Sequence, residues 1–386
     1  MKSVTGIANL GNTCYMNAAL QCGVIACEPL AKYFLSEKYL EDLSGISSSD
    51  SLAKSVAWLL DEVRNPELRN AVYPNLVKNR VDVKMAKFKG TEQNDCSEFL
   101  LEFLDILHSE LSIGADKRAL DKRSGSSSMS MLTRSASQIA AMNGSISGRS
   151  RSSINWHSRG DQWWSAHRKR EDSIIKRLYE GAIRSVMTCA RCGGVSARFE
   201  AFTSLILPIP SYPSSEHRLS DLIDQLFQEE QIDGIDCDFC KRKQTFNRTI
   251  DLWKVPPFLI LTLSRFSFTS KSAKKLTNFV TYPVDLPLSL ENLLAQEAPL
   301  QEFLEYELYA VVEHEGTVNR GHYTALVKSN DGQWAIANDS KVLLGVDLSR
   351  ISSNNAYMLF YRWKILGDLQ ESDEYKFFDL EDYLAT

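Results

Sequence analysis

Cys14 stands where a Gly/Asn-rich loop, Gly6-Ile7-Ala8-Asn9-Leu10-Gly11-Asn12-Thr13, runs into an apolar stripe at helical spacing (Met16, Ala19, Leu20, Val24). Asn12 or Thr13 can cap that helix. A cysteine in a first helical turn meets unpaired backbone N–H groups and the positive end of the helix dipole, which favour the thiolate. Thiolate is the nucleophilic form, and the same loop offers amides to an oxyanion. A base is available in Gly321-His322-Tyr323, where His322 follows the loop 315–320 and opens a strand. The chain then turns and returns through Trp334-Ala335-Ile336-Ala337-Asn338-Asp339-Ser340, so Asn338 or Asp339 can hold the imidazole by its second nitrogen. These residues have the nucleophile, base and orienting roles of a Cys–His–Asn/Asp site. Cys22, Cys27 and Cys96 lack such a setting and read as structural, as does His314 just before the loop.

The other four cysteines form two CxxC pairs, Cys189-Ala190-Arg191-Cys192 and Cys237-Asp238-Phe239-Cys240, with 44 residues between them. Two such knuckles supply the thiolates of a tetrahedral Zn²⁺ site, each sulfur about 2.3 Å from the metal. Gly193-Gly194 suits a tight knuckle after the first pair. Four protein ligands leave no open position, so the expected cofactor is a structural zinc. Neither pair lies in a βαβ pattern, which argues against redox chemistry. Asp221, Asp224, Glu229, Glu230, Asp233 and Asp236 lie between the pairs, which argues against a DNA-reading zinc module.

These groups need elements to carry them. The chain has 386 residues, 44% apolar and 24% charged, with a net charge of −5. That composition is ordinary for a globular protein and excludes a generally basic nucleic-acid binder. No apolar run approaches the roughly 18 residues of a membrane span. Met1-Lys2-Ser3 leads into asparagines and not into an apolar stretch, so no secretory signal is expected. Eight cysteines in this length do not make a disulfide scaffold, and their pattern points to a cytoplasmic or nuclear setting. Residues 1–111 read as mostly helical, with helices predicted over 52–63 and 95–111. From about 175 strands dominate: 201–209, the apolar run 258–268 after Pro256-Pro257, then 308–313, 323–328, 334–337 and 357–363.

Two segments differ. Residues 123–160 hold 13 serines and five arginines and no acidic residue. Such a stretch buries too little apolar area to offset its ordering entropy, so 123–160 is expected to be disordered within an insertion spanning 112–172. Its Arg/Ser content, continuing to Arg168-Lys169-Arg170, could serve RNA or acidic surfaces. Trp156, Trp163 and Trp164 are unusual there and suggest a docking contact. The tail 367–386 is acidic and aromatic, suited to packing as a short helix or to being read by another protein.

Together these residues resemble the ubiquitin-specific protease family of deubiquitinases. The segment from Gly6 to Asn17 is similar to the family's cysteine box, and His314 to Val342 to its histidine box. Gln93-Asn94-Asp95-Cys96-Ser97-Glu98-Phe99-Leu100 resembles its glutamine–aspartate–glutamate motif. The paired knuckles, Pro256-Pro257 through Arg265-Phe266, Tyr282-Pro283 and Ala356-Tyr357-Met358-Leu359-Phe360-Tyr361 follow in the expected order. The resemblance covers about residues 4–364 and leaves out the insertion and the tail. It implies an α+β fold, a papain-like cysteine protease shaped as a right hand within a catalytic domain over 1–366. The thumb would be about 1–111, the fingers about 183–255 with zinc at their tips, and the palm largely 256–364.

By position, the resemblance makes Cys14 the nucleophile, His322 the general base and Asn338 the third member, with Asp339 a helper or substitute. Asn9 matches the residue that helps hold the oxyanion. Asp95 and Glu98 match positions facing the arginines of the ubiquitin tail, and Tyr323 a position lining it. The loops at about 267–280 and 315–320 match the family's loops over the tail channel. The implied protein is a monomeric thiol hydrolase that cleaves isopeptide or peptide bonds after ubiquitin's terminal glycine through a Cys14 thioester. Two alternatives stand beside it: a protease for another ubiquitin-like modifier, and a non-catalytic ubiquitin-binding scaffold. Ala18 replaces the commoner serine, Asn94 and Cys96 are variants within their motif, and Trp334-Ala335-Ile336-Ala337 lacks the aromatic often found there. Asn338 in place of Asp gives a neutral orienter.

Overall fold

Side-chain caps and apolar spacing set the helices of the N-terminal part. A computed structural model describes residues 4–43, 50–65, 71–112, 146–150, 154–210, 216–268, 273–299, 301, 303–318, 320–329 and 331–365. Helix α1 (Cys14–Leu20) runs into a π-turn at Gln21–Ile25, and α2 (Glu28–Leu35), α3 (Tyr39–Asp42), α4 (Leu52–Arg64), α5 (Asn75–Lys84) and α6 (Cys96–Leu111) follow. Asp95 caps α6 by accepting from the Glu98 amide at 2.9 Å. Phe99, Leu100, Phe103, Leu104, Leu107 and Leu111 then recur on one face and are buried, at roughly 1.5–3 kcal/mol each. Glu110 of α6 is 3% exposed. It accepts from Ser51 Oγ (2.9 Å) and from the amides of Leu52 (3.0 Å) and Ala53 (2.9 Å) at the start of α4. Lys84 lies 3.0 Å away, so this buried carboxylate is both bonded and paired. Helix α1 is buried along its length and packs between α6 and the strand that carries His322.

After the helices come β1 (Ile146–Gly148), α7 (Trp156–Arg170) and α8 (Ile174–Tyr179). Strands β2 (Gly181–Cys189), β3 (Val195–Phe202), β4 (Ser204–Pro208) and β5 (Glu216–Arg218) lead to α9 (Leu219–Phe227). Then follow β6 (Glu230–Cys237), β7 (Arg242–Lys254), β8 (Phe258–Ser264), β9 (Phe266–Phe268), β10 (Ala273–Lys275), β11 (Phe279–Thr281) and β12 (Leu288–Ser289). The last strands are β13 (Glu305–Gly316), β14 (Gly321–Lys328), β15 (Trp334–Asn338), β16 (Lys341–Val346) and β17 (Ala356–Trp363). Two sheets result. One is ordered β1-β3-β2-β7-β6, and the other β16-β15-β14-β13-β17-β8-β4 with β12 beside β13. Strand β17 is buried at every residue, which is why Ala356–Tyr361 reads as an apolar run; Arg362, also buried, pairs with Glu307 at 2.6 Å. Arg265, wholly buried after β8, donates to the carbonyls of Leu276 (3.1 Å) and Asn278 (2.9 Å) and to that of Ala356. Burial lowers its pKa to about 10.

The expectation of disorder over 123–160 is corrected at its C-terminal end. Ile146–Gly148 pairs antiparallel with β3, and α7 begins at Trp156 with the Asn155 side chain accepting from the Ser158 amide at 3.1 Å. The tryptophans supply the apolar area that the Ser/Arg composition lacks. Trp156, Trp163 and Trp164 pack on Ala182, Val186, Val195, Ala197, Phe199 and Trp253, so their docking contact is the chain's own five-stranded sheet. Arg184, fully buried, lies 5.1 Å from the Trp156 ring centre and 5.5 Å from that of Trp253. Asp251 (2.7 Å) and Glu297 (3.0 Å) neutralise it. Residues 113–145, 151–153 and the tail from 366 lie outside the described residues.

Gly160 is where α7 comes closest to the sheet. A Cβ there would sit 2.0 Å from Cζ2 of Trp253. Gly160→Ala is expected to destabilise by about 1–3 kcal/mol, since the indole is boxed in and cannot yield. Chemical denaturation would show it as a lower midpoint; an unchanged midpoint would mean that α7 is not held against Trp253.

Candidate active site

The loop before Cys14 is stitched to the turn between β15 and β16. The Ile7 amide donates to the Asp339 carbonyl (3.0 Å), and the Ala8 amide to that of Val72 (2.7 Å). Inside the loop, Asn9 Oδ1 accepts from the amides of Gly11 (2.9 Å) and Thr13 (3.1 Å), and Thr13 Oγ1 accepts from the Leu10 amide (2.9 Å). Thr13 occupies the N-cap position but makes no capping bond with its side chain. Asn12 adopts φ 52° and donates to the Thr91 carbonyl at 2.8 Å. Three loop amides are thus taken by side chains of the loop itself.

Cys14 is 5% exposed. Burial raises its thiol pKa, the amide of Tyr323 opposes this, and the charge of Asp339 adds to the rise. Burial and the Asp339 charge thus oppose the helix start, which by itself favours the thiolate. The sulfur lies under the amide of Tyr323, the residue after His322. His322 Nε2 is 2.7 Å from Asn338 Oδ1. The amide oxygen can only accept, so Nε2 carries the proton and Nδ1 keeps the lone pair. The imidazole is 42% exposed.

The two orienting candidates divide the work. Asn338 touches the imidazole, whereas Asp339 Oδ2 is 4.0 Å from Nε2, beyond hydrogen-bond reach. Asp339 instead accepts from Asn9 Nδ2 (2.9 Å) and from Asn17 Nδ2 (2.8 Å). Asn17, one turn after Cys14, also reaches the Ile7 and Ala8 carbonyls at 3.2 and 3.3 Å. One carboxylate thereby joins the loop, the helix and the β15–β16 turn.

Of the substrate-facing candidates, Asp95 has both carboxylate oxygens engaged, Oδ1 with the Glu98 amide and Ser97 Oγ (2.7 Å), Oδ2 with Tyr357 OH (2.6 Å). Glu98 pairs with Lys87 at the surface. Tyr323 is buried, 4.6 Å from His314 and 6.0 Å from Tyr357 between ring centres. His314 is an internal packing residue whose pKa burial lowers to about 4, with Lys275 adding to the shift, so it stays neutral near pH 7. It also explains Gly321, where a Cβ would fall 2.0 Å from His314 Nε2.

One positioning residue had no sequence-derived role. Gln93 donates from Nε2 to the Gly321 carbonyl (3.2 Å) and accepts at Oε1 from the Gly321 amide (3.1 Å). Only its place in a motif marked it, because a glutamine gives no spacing signal. It holds the peptide next to His322 in place. Gln93→Ala is expected to lower kcat about tenfold with little change in Tm, the two bonds being worth about 1 kcal/mol each. A kcat equal to wild type would remove Gln93 from the positioning set.

At the tip of the five-stranded sheet, the sulfurs of Cys189, Cys192, Cys237 and Cys240 lie within 4.8 Å of one another, with Cys192 and Cys237 at 3.6 Å. Zn–S bonds of about 2.3 Å place tetrahedral sulfurs about 3.8 Å apart, so the set fits zinc. Amides support it: Gly194 N–H points to Cys192 Sγ and Cys240 N–H to Cys237 Sγ, both at 3.4 Å. Gly193 (φ 68°) and Lys241 (φ 55°) turn the chain just after each pair.

A buried cysteine at a helix start under the amide that follows a histidine, with an asparagine orienting that histidine on an α+β frame, matches the papain-like class of thiol hydrolase site. Comparison with known proteins narrows the class. Residues 5–361 match the ubiquitin carboxyl-terminal hydrolase family, and the chain belongs to it. It is 30% identical over 362 residues to mouse ubiquitin carboxyl-terminal hydrolase 21, covering 92% of this chain and 61% of that one. It is 32% identical over 365 residues to chicken ubiquitin carboxyl-terminal hydrolase 2, covering 94% of each. Against human ubiquitin carboxyl-terminal hydrolase 2 it is 30% identical and spans 55% of the relative's length. The fold resembles the SAGA Ubp8/Sgf11/Sus1/Sgf73 DUB module bound to ubiquitin aldehyde, with a TM-score of 0.69 and 20% identity over 93% of this chain and 69% of that one.

Proposed function

We propose that this chain is a deubiquitinase that hydrolyses the bond after ubiquitin's C-terminal glycine. One observation carries the reading: Cys14 lies under the amide next to His322, and Asn338 holds that imidazole with Nδ1 as its basic nitrogen. His322 Nδ1 takes the thiol proton, and the Cys14 sulfur attacks the glycine carbonyl. The second N–H of Asn9 Nδ2, whose first goes to Asp339, receives the oxyanion together with the Cys14 amide. His322 returns the proton to the leaving amine, and a thioester remains. Water, deprotonated by the same imidazole, then releases ubiquitin and regenerates the thiol.

A zinc held by Cys189, Cys192, Cys237 and Cys240 would act as a structural clamp, since all four positions are protein thiolates. Reduced thiols at both sites suit a cytoplasmic or nuclear setting. Family membership and a shared fold with a ubiquitin-bound neighbour support ubiquitin as the partner.

The test is cleavage of isopeptide-linked diubiquitin by zinc-replete protein. Wild type should release monoubiquitin. Cys14→Ala should lose turnover by at least about 10⁴-fold while still binding ubiquitin. Cleavage by Cys14→Ala would remove the nucleophile assignment, and no cleavage by wild type would remove the activity.

A further inference from the structure

Helix α7 binds the protein with one side and presents cations on the other. Trp156, Gly160, Trp163 and His167 face inward, whereas Arg159, Gln162, Ser165, Ala166, Lys169 and Arg170 are exposed. On a helical projection Arg159, Lys169 and Arg170 lie along one strip, about 16 Å long from first to last. No acidic residue among the described residues pairs with these three. The inward and lateral charges, by contrast, have partners: His167 with Glu180 (2.6 Å), Arg168 with Asp172 (2.9 Å) and His157 with Asp161 (3.2 Å). The strip is therefore a row of three positive charges next to half-buried Trp163.

Chains of contacts link the end of the described chain to this helix. Arg362 pairs with Phe258 across the sheet, the Phe258 ring is 5.9 Å from Tyr179, and Glu180, the next residue, bonds His167 of α7. A second route runs from Trp363 to Phe303 (5.3 Å), then through Gln301, which donates to the Trp253 carbonyl (3.2 Å), to the indole that touches Gly160. From 366 to 386 the sequence carries seven acidic residues (Asp368, Glu371, Asp373, Glu374, Asp379, Glu381, Asp382) and one lysine, Lys376, a net charge of −6. It also carries Tyr375, Phe377, Phe378 and Tyr383. Twenty-one residues reach roughly 70 Å when extended.

We infer that the outward strip of α7 is the docking surface for the chain's own acidic-aromatic tail, residues 368–384. Carboxylates face Arg159, Lys169 and Arg170, and aromatic side chains cover the exposed edge of Trp163. Because tail and helix belong to one chain, the tail is present at high effective concentration and modest pairwise attractions suffice. The inference concerns a surface remote from Cys14 and is independent of the proposed activity.

Zero-length carbodiimide cross-linking of the full chain, read by mass spectrometry, tests it. Lys169 should be joined to at least one tail carboxylate within a single chain. Raising the salt from about 0.1 M to about 1 M shortens the Debye length from about 10 to about 3 Å, and the yield should fall with it. Arg159→Glu with Arg170→Glu leaves Lys169 in place and alters only exposed side chains, so the fold should persist by circular dichroism; the yield should drop about tenfold. An unchanged yield in that double variant would overturn the inference. So would a Lys169 without tail cross-links, or cross-links formed only between chains, which would place the tail on a second copy.

Discussion

Asp339→Asn is expected to lower kcat/KM by about 10²–10³-fold, and Asn338→Ala by only about tenfold. The order follows from what each side chain touches. Asn338 makes one neutral hydrogen bond to His322, worth about 1 kcal/mol. Asp339 makes two charge-assisted bonds, to Asn9 and Asn17, at roughly 1.5–3 kcal/mol each. Asparagine tolerates the left-handed φ of 51° at 339, so strain does not enter. Its Oδ1 can accept from one neighbour, but its NH₂ then meets the NH₂ of the other. Asn9 loses its hold, and with it the position of the oxyanion donor, at the cost of one such donor. Steady-state kinetics beside a melting curve would separate this from unfolding. Near-wild-type Asp339→Asn with a thousandfold loss in Asn338→Ala would place the essential contact on the imidazole instead.

The second large effect concerns the knuckles. Cys237→Ser is expected to abolish tight zinc binding and to destabilise the five-stranded sheet by several kcal/mol, given apparent structural-zinc affinities of about 10–16 kcal/mol. Among the described residues near the tip, only Cys189, Cys237 and Phe246 form a buried apolar cluster, with Met187, Ile235 and Cys240 partly buried against it. That is too little area to hold the tip without cross-linking. Hydrogen exchange should therefore rise at the tip first, in 187–195 and 232–246, while the α7 cluster at the other end of the sheet stays protected. The proposed catalytic residues lie on α1 and the other sheet, so KM should rise more than kcat falls. A chelator that removes no metal from wild type, or a Cys237→Ser variant of unchanged stability, would contradict this account.

How far the sequence announced these features depends on the kind of signal each sends. Cys14 and His322 were legible because glycine-rich loops flank them and a helix or strand follows. The four zinc-ligand candidates were legible from spacing alone. The division between Asn338 and Asp339 was not, since it depends on a left-handed residue in a two-residue turn. Neither was the direction of the Cys14 shift: helix position is visible in sequence, but burial and the Asp339 charge are tertiary. Asp95 also has contacts that sequence does not announce, for its carboxylate caps α6 and binds Tyr357. Helix α7 was hidden because serine counts outweighed three tryptophans whose partners lie far along the chain.

The most direct measurement is reaction with ubiquitin bearing a thiol-reactive C-terminal group, wild type beside Cys14→Ala, followed by peptide mapping. The account expects a single adduct on Cys14 in wild type and none in Cys14→Ala. No adduct on folded, zinc-replete wild type, or an adduct that persists in Cys14→Ala, would contradict it.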